Sequence, residues 1–185
     1  MSDLPATSGL SKRDLIPYTY PSDDDLRGVG VTGLFLGHYL PWDGYTNALL
    51  AQANGFETFP TVVEGSVVNY ENLDNQQHGI HDYFKFLKFG FSRATDIASL
   101  HIRRGRMTRD QGLQIVRERD GKFPWSYLGK PLNEILRPLG LSVDEFVEIC
   151  DSFTNLDLFR CDPSGGLIRE RDGSLVKVNY DNHDG

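Results

Sequence analysis

The sequence predicts an α/β fold: part of a parallel sheet, then a mostly helical C-terminal region, then a terminal β-hairpin. The sheet is indicated by residues 29–37 (VGVTGLFLG), a run of β-branched and bulky apolar residues without polar alternation. Such a run is typical of a strand that is buried on both faces. An Ala/Leu-rich helix over 45–54 and a short strand over 56–60 follow and complete a βαβ unit. Farther along, apolar residues recur at helical spacing in several stretches, which predicts the helical region.

Cap and turn residues place further elements. Ser22 precedes three acidic residues, and this favours a helix start because a hydroxyl cap and negative charge suit a helix N-terminus. Asp172-Gly173 predicts the tight turn of a β-hairpin over residues 167–180. Capping boxes predict the starts of two more helices, at Thr108 with Gln111 and at Ser142 with Glu145. We divide the chain into an N-terminal arm (1–20), an α/β region (21–160), and a hairpin with a tail (161–185).

Composition excludes several classes of protein. The chain has 185 residues and a formal net charge of −7, which argues against general nucleic-acid binding. It has no apolar run long enough to span a membrane and no signal-peptide pattern, so we expect a cytoplasmic protein without a membrane span. Cys150 and Cys161 lie in no Cys/His cluster, and His78 with Asp82 has no evident third ligand. We therefore expect neither a structural zinc site nor a metal site at His78 and Asp82.

The stretch over residues 70–111 differs from the rest of the chain. The segment from Lys85 to Arg109 contains seven lysines or arginines and a single acid, Asp96, in an acidic protein. Apolar residues at 80, 83, 84 and 87 predict the buried face of a helix, and the opposite face gathers His78, His81, Asp82, Lys85 and Lys88. This polar face suits an anionic, hydrogen-bonding ligand; the alternative is a solvated surface over a core helix.

A second group of polar residues follows the predicted strand. In parallel sheets, ligands bind at the carboxyl ends of the strands. His38, Trp42, Asp43 and Asn47 occupy that position in the sequence, and the alternative for Asp43 is a helix cap. The chain has no GxSxG, GxGxxG or GxxxxGKS motif, and we interpret Ser164-Gly165-Gly166 as a turn.

Several long motifs then resemble one known family. KFGFSRATDIAS (88–99) lies between YENLDNQQHGIHDYFKFL and IRRGRMTRDQG, and YLPWDGYTN (39–47), KFPWSYLGKPLNEIL (122–136) and EICDSFTNLDLF (148–159) occur in the same order. Together they resemble the N-acetyl sugar amidotransferases of lipopolysaccharide and surface-sugar biosynthesis, over about residues 20–159. Ser92 and Ile97 depart from the Gly and acidic residue commoner in that family.

The resemblance implies a partial adenine-nucleotide alpha-hydrolase-like, or Rossmann-like, sheet and a reaction that uses ATP and Mg²⁺. ATP would activate the acetamido oxygen of a nucleotide-linked sugar, and ammonia from a glutaminase subunit would displace AMP to leave an acetamidino group. The resemblance implies that Lys88 and Arg93 clamp phosphate and that Asp96 orients Arg93 or helps to hold Mg²⁺. His78, His81 and Asp82 would bind the sugar or move protons. The further predicted substrate-binding residues are Asp43, Asn47, Arg103 and Arg104.

One part of the family pattern is missing. The Ser-Gly-Gly-x-Asp-Ser phosphate loop and the zinc-type cysteines of the N-terminal half do not occur in this sequence. We therefore expect the C-terminal half of an amidotransferase that is inactive alone. The N-terminal half is a separate polypeptide, has been lost, or lies outside this sequence. The main alternative is a non-catalytic sugar-nucleotide-binding or assembly subunit. A weaker alternative is nucleic-acid binding through the basic stretch, which lacks an expected aromatic platform.

Overall fold

The computed structural model describes residues 11–30 and 32–178 and divides the chain into two compact units, Met1–Gly44 and Tyr45–Gly185. The described part of the first unit contains short helices only. The cap predicted at Ser22 is confirmed, because its hydroxyl accepts a hydrogen bond from the Asp25 amide and Asp25 returns the interaction. The helices are α1 (Lys12–Leu15), a 3₁₀ turn (Ile16–Tyr18), α2 (Asp23–Val29) and α3 (Leu36–Tyr39).

The predicted parallel sheet is not found among the described residues, and the strand prediction over 29–37 is wrong there. Val29 ends α2, residues 32–35 have no regular structure, and α3 starts at Leu36; Val31 lies outside the described residues. Phe35 is 89% exposed. Apolar, β-branched residues form a buried strand only where neighbouring strands accept their backbone hydrogen bonds. The described part of this unit offers no such strand, and residues 56–60 are irregular as well.

The second unit is mainly helical. Two predicted capping boxes are confirmed at Thr108 and Ser142, whose hydroxyls accept hydrogen bonds from the amides three residues later. Gly44, where α4 begins, is the last residue of the first unit. The helices are α4 (Gly44–Ala53), α5 (His78–Phe89), α6 (Arg93–Arg103), α7 (Arg109–Arg119), α8 (Leu132–Leu136), a 3₁₀ turn (Arg137–Leu139) and α9 (Val143–Ser152).

The main core forms around the apolar face of α5, as its periodicity predicted. Tyr83, Phe86 and Leu87 are buried there, against residues from α8, α9 and the C-terminal segments. A smaller cluster of Val63, Tyr127 and Ile135 packs beside it and shares Ile80 with the main core. Because α5 buries one face in these clusters, its opposite face can present polar side chains.

A short antiparallel hairpin is the regular sheet of the described chain. Its strands, β1 (Ser126–Tyr127) and β2 (Lys130–Pro131), are joined by Leu128 at φ 50° and Gly129 at φ 73°, the positive angles of a type I′ turn. A leucine at positive φ is strained. The Glu64 carboxylate accepts hydrogen bonds from the Leu128 amide at 3.0 Å and the Ser126 hydroxyl at 3.1 Å, and so holds the hairpin in place.

The predicted C-terminal hairpin is confirmed within the described residues. Arg169 pairs with Leu175 in an antiparallel bridge, and the Gly173 amide donates to the Glu170 carbonyl at 3.0 Å across the turn. Residues 179 and 180, which the prediction included, lie outside the described residues.

A third segment, which contains Phe159 and Cys161, pairs with this hairpin. The three segments form a repeat that the sequence analysis did not detect. Core residues recur at intervals of eight, at 159, 167 and 175. The residue that follows each core residue takes part in a ring of three backbone hydrogen bonds, so each segment stabilises the other two. The bonds run from the Ile168 amide to the Arg160 carbonyl (2.9 Å), from Val176 to Ile168 (3.0 Å) and from Arg160 to Val176 (2.8 Å).

The two cysteines should differ in reactivity. Cys150 is 1% exposed and burial raises the pKa of its thiol to about 12, whereas Cys161 is exposed. The thiolate is the reactive form, so we expect a thiol reagent to modify one cysteine of the native chain and both after denaturation. A Cys161→Ser variant should then show no fast reaction in the native state. Fast labelling of that variant would contradict the packing of Cys150.

Candidate functional site

An ion pair between α5 and α6 is the centre of the candidate site. Arg93 starts α6 and faces Asp82 of α5, with 3.3 Å between Nε and Oδ2 and 3.4 Å between Nη2 and Oδ1. Asp82 is 7% exposed. The Ser92 hydroxyl donates to the Asp82 carbonyl at 2.6 Å, which ties the start of α6 to α5. The short turn after α5 thus folds back and brings together two charges eleven residues apart in sequence.

Several ionisable side chains lie near this ion pair, and burial and charge shift the pKa values of some of them. The His81 ring nitrogen Nδ1 lies 3.2 Å from Asp82 Oδ1, and its side chain is 72% exposed. Burial raises the pKa of Glu71, against the opposing charge of Arg93. Burial alone would lower the pKa of Arg93, but Asp82 and Glu71 raise it above its usual value, so Arg93 keeps its charge. Burial also raises the pKa of Tyr127, near Asp82, to about 12.

The N-terminus of α6 is already occupied by a carboxylate. Asp120 Oδ2 accepts hydrogen bonds from the Ser92 amide at 2.8 Å and from the Thr95 hydroxyl at 2.6 Å. A negative charge at this position satisfies the free amides and the helix dipole. An anionic ligand at this end of α6 would therefore meet a carboxylate instead of free amides.

A cavity of about 270 Å³ opens beside the ion pair. Gly79 allows the hairpin to approach α5 closely, because a Cβ at this position would lie 2.7 Å from Cδ2 of Tyr127. Lys122 pairs with Asp172 at 2.8 Å, whereas Arg119 has no hydrogen-bond or ion-pair partner among the residues that the structure describes. The cavity lining includes Asp82, Ser92, Arg119, Lys122, Trp125 and Tyr127.

The structure brings some of the predicted site residues together. His81, Asp82 and Arg93 form one cluster, and the His78 ring lies 6.3 Å from the His81 ring. His78 Nδ1 is 3.3 Å from the Asn75 carbonyl oxygen. The three residues of α5 belong to the polar face that the sequence predicted, although Asp82 is buried there, and Arg93 approaches them from α6.

Other predicted residues lie elsewhere. Asp96 pairs with Lys85 on the next turn, and Lys88 lies over the Phe153 ring, 5.1 Å from its centroid. Arg103 is ten residues after Arg93, or about 15 Å along the helix axis, and its Nε donates to the Ser99 carbonyl at 3.4 Å. Arg104 caps the same end of α6, Asp43 is buried in the first unit, and Asn47 is half-buried in α4 of the second unit.

The sequence analysis missed several residues of the site. The missed residues lie in motifs or helices that it recognised, but their side chains gave no sign of a shared location; they are Glu71, Arg119, Trp125 and Tyr127.

The sequence analysis also expected no exposed aromatic platform near the basic stretch, whereas two phenylalanines there are exposed. Phe89 is 61% exposed and Phe91 41% exposed, with the Lys85 ammonium 4.8 Å from the Phe91 ring centroid.

The described residues contain neither a metal-binding cluster nor a membrane-spanning helix. Within residues 11–30 and 32–178, no three His, Cys, Asp or Glu side chains are grouped so that they could hold a metal ion. In the same residues, no helix has both the length and the apolar character needed to cross a membrane.

Comparison with known families gives one match. Residues 55–169, more than half of the chain, match the family described as "LPS biosynthesis protein WbpG-like, C-terminal domain". The matched range contains α5 to α9, the ion pair and the cavity. No match was found among curated proteins.

Proposed function

The chain belongs to the WbpG-like C-terminal domain family of lipopolysaccharide biosynthesis proteins, and from this premise we propose that it is the C-terminal half of an ATP-dependent N-acetyl sugar amidotransferase. In the proposed reaction, the acetamido oxygen of a nucleotide-linked sugar attacks the α-phosphorus of ATP and releases pyrophosphate. Ammonia then adds to the activated carbon, and AMP leaves with the former acetamido oxygen. The product is an acetamidino sugar for a surface glycan, made in the cytoplasm.

The observation that supports this proposal is the ion pair of buried Asp82 and half-buried Arg93, beside an open cavity. Adenylylation and loss of AMP both build negative charge on oxygen, which a fixed cation stabilises. Asp82 and Ser92 position Arg93 before substrate binds, so little reorganisation is needed. His81 is exposed at the edge of the cluster, and we assign to it the acceptance of the proton that the attacking ammonia loses.

The reaction of ATP needs a phosphate-binding loop, which we assign to a separate N-terminal half. Phosphates are held by positioned backbone amides. In the Gly-rich segment that follows Asp162, those amides already have a partner: Asp162 Oδ1 accepts from the Ser164 amide at 2.8 Å and the Gly166 amide at 2.9 Å. The hydrogen bond from the Ser164 hydroxyl, together with those from the two amides, lowers the pKa of the Asp162 carboxyl group. We therefore propose that the partner half binds ATP and Mg²⁺ and that a glutaminase subunit supplies ammonia.

We expect residues 1–185 alone to release no AMP from ATP in the presence of Mg²⁺, ammonia and UDP-N-acetyl sugars. The physical reason is that side-chain cations without an amide cradle do not orient the triphosphate. Addition of a loop-bearing N-terminal half should restore AMP formation that depends on both ammonia and sugar. Robust AMP release by the lone chain would contradict the division of labour proposed here.

The second candidate function is a non-catalytic sugar-nucleotide-binding or assembly subunit. It is favoured by the hydrogen bonds of the Ser164 and Gly166 amides to Asp162. Because these amides already have a partner, the Gly-rich segment of the described chain does not offer them to a phosphate. The AMP assay separates the two candidates: sugar binding without AMP release, even after the N-terminal half is added, would favour the binding subunit.

A further inference from the structure

The cavity beside the β1–β2 hairpin is lined by groups that suit a carbohydrate ligand with an anionic group at one end. Trp125 is held in one orientation, because its Nε1 donates to the Asp172 carbonyl at 3.0 Å and its ring lies 4.5 Å from the Phe123 ring, centroid to centroid. The residue is nevertheless 56% exposed. An ordered, open indole at a cavity is suited to the apolar C–H face of a pyranose ring, which packs on an aromatic surface.

The same cavity carries a cation without a protein partner. Arg119 is half-buried at the end of α7 and, across the described chain, forms no hydrogen bond or ion pair. The other basic residue of the lining, Lys122, is paired with Asp172. A guanidinium with free donors matches the oxygens of a phosphate. The unsatisfied positive charge therefore points to an anionic group on the ligand.

The volume limits what the cavity can hold. Pockets that enclose a drug-sized ligand measure roughly 300–1,000 Å³. At about 270 Å³ this cavity suits one pyranose with its first phosphate, and a nucleoside attached to that phosphate would extend into solvent. We propose that it binds the sugar-1-phosphate end of the acceptor, with the pyranose on Trp125 and the phosphate on Arg119. The identity of the sugar rests on the proposed function; the site itself rests on the cavity.

The test uses Trp125 as its own reporter. The chain has two tryptophans, so a Trp42→Phe variant leaves Trp125 as the single indole. We expect UDP-N-acetylglucosamine and N-acetylglucosamine-1-phosphate to change its fluorescence saturably, and UMP to leave it unchanged. Unchanged fluorescence with both sugar ligands overturns the proposal, and so does an equal response to UMP.

A pair of arginine variants tests the phosphate contact. Arg119→Ala should weaken the binding of N-acetylglucosamine-1-phosphate roughly 10- to 100-fold, the loss expected for a hydrogen bond to a charged group. Arg117→Ala, an exposed arginine of α7 that does not line the cavity, should bind as the parent chain does. Isothermal titration calorimetry measures both constants in the Trp42-containing chain, and circular dichroism checks the fold. Equal affinities for the two variants overturn the role of Arg119.

The outcome is separable from that of the proposed function. If the reconstituted enzyme forms AMP but Trp125 does not respond to sugar phosphates, the function stands and this cavity is not the sugar site. If Trp125 responds and no AMP forms with either preparation, the site stands and the chain is a binding subunit.

Discussion

Replacing Arg93 with alanine should lower the rate of AMP formation by the reconstituted enzyme roughly 100-fold or more, the usual effect of removing one preorganised donor to a developing negative charge. Asp82 and the start of α6 hold the guanidinium in place, and alanine supplies no group that could replace it. Turnover at saturating sugar is the measurement. The affinity for sugar phosphate, measured by titration, should fall much less, because the charge that Arg93 stabilises develops during the reaction.

The Arg93 experiment needs a control for folding. Without Arg93, the buried Asp82 carboxylate loses its arginine partner and keeps only the exposed His81 ring beside it, which costs about 2–3 kcal/mol of stability. Assays should therefore run below the unfolding transition of the variant, as measured by circular dichroism. Arg137→Ala, an exposed arginine outside the cluster, should leave turnover unchanged. If Arg93→Ala turns over like Arg137→Ala, Arg93 has no part in the mechanism.

A Gly121→Ala variant should be destabilised by about 3 kcal/mol or more. The added Cβ would lie 2.1 Å from Cζ of Phe86, whose ring is buried in the main core, and the glycine has φ +72°. The positive φ contributes about 1–2 kcal/mol, and overpacking of a core contributes about 1–3 kcal/mol more. Urea unfolding followed by circular dichroism gives the free energy of unfolding.

Gly105 provides a matched control for this variant. Its φ is +67°, close to that of Gly121, but a Cβ there would have no neighbour within 4 Å. Gly105→Ala should therefore show the cost of the positive φ alone, about 1–2 kcal/mol. The difference between the two variants isolates the contact with Phe86. Equal destabilisation would show that the Phe86 ring moves aside without cost.

The sequence was sufficient for features that depend on neighbouring residues. The helix starts at Ser22, Thr108 and Ser142 followed from hydroxyls three residues before an acid or amide. The buried face of α5 followed from its periodicity, and the hairpin turn followed from Asp172-Gly173. Each of these patterns acts over a few residues, where chain connectivity fixes the distance between the interacting groups.

The site was predicted only in part. The sequence placed His78, His81 and Asp82 on one face of α5, and the structure places Arg93 beside them. It also grouped Lys88 and Arg103 with them, because helical spacing and charge do not reveal which neighbour each side chain contacts. Lys88 instead lies over Phe153, and Arg103 lies at the far end of α6.

By itself, the sequence determined the family, the helix caps and the polar face of α5. The tertiary structure decided three further features: the pairing of Asp82 with Arg93, the absence of a parallel sheet among the described residues, and the cavity of Arg119 and Trp125. The physical reason is that each of these depends on segments far apart in the chain. A strand exists only if another segment pairs with it, and a cavity exists only where separate elements leave space between them.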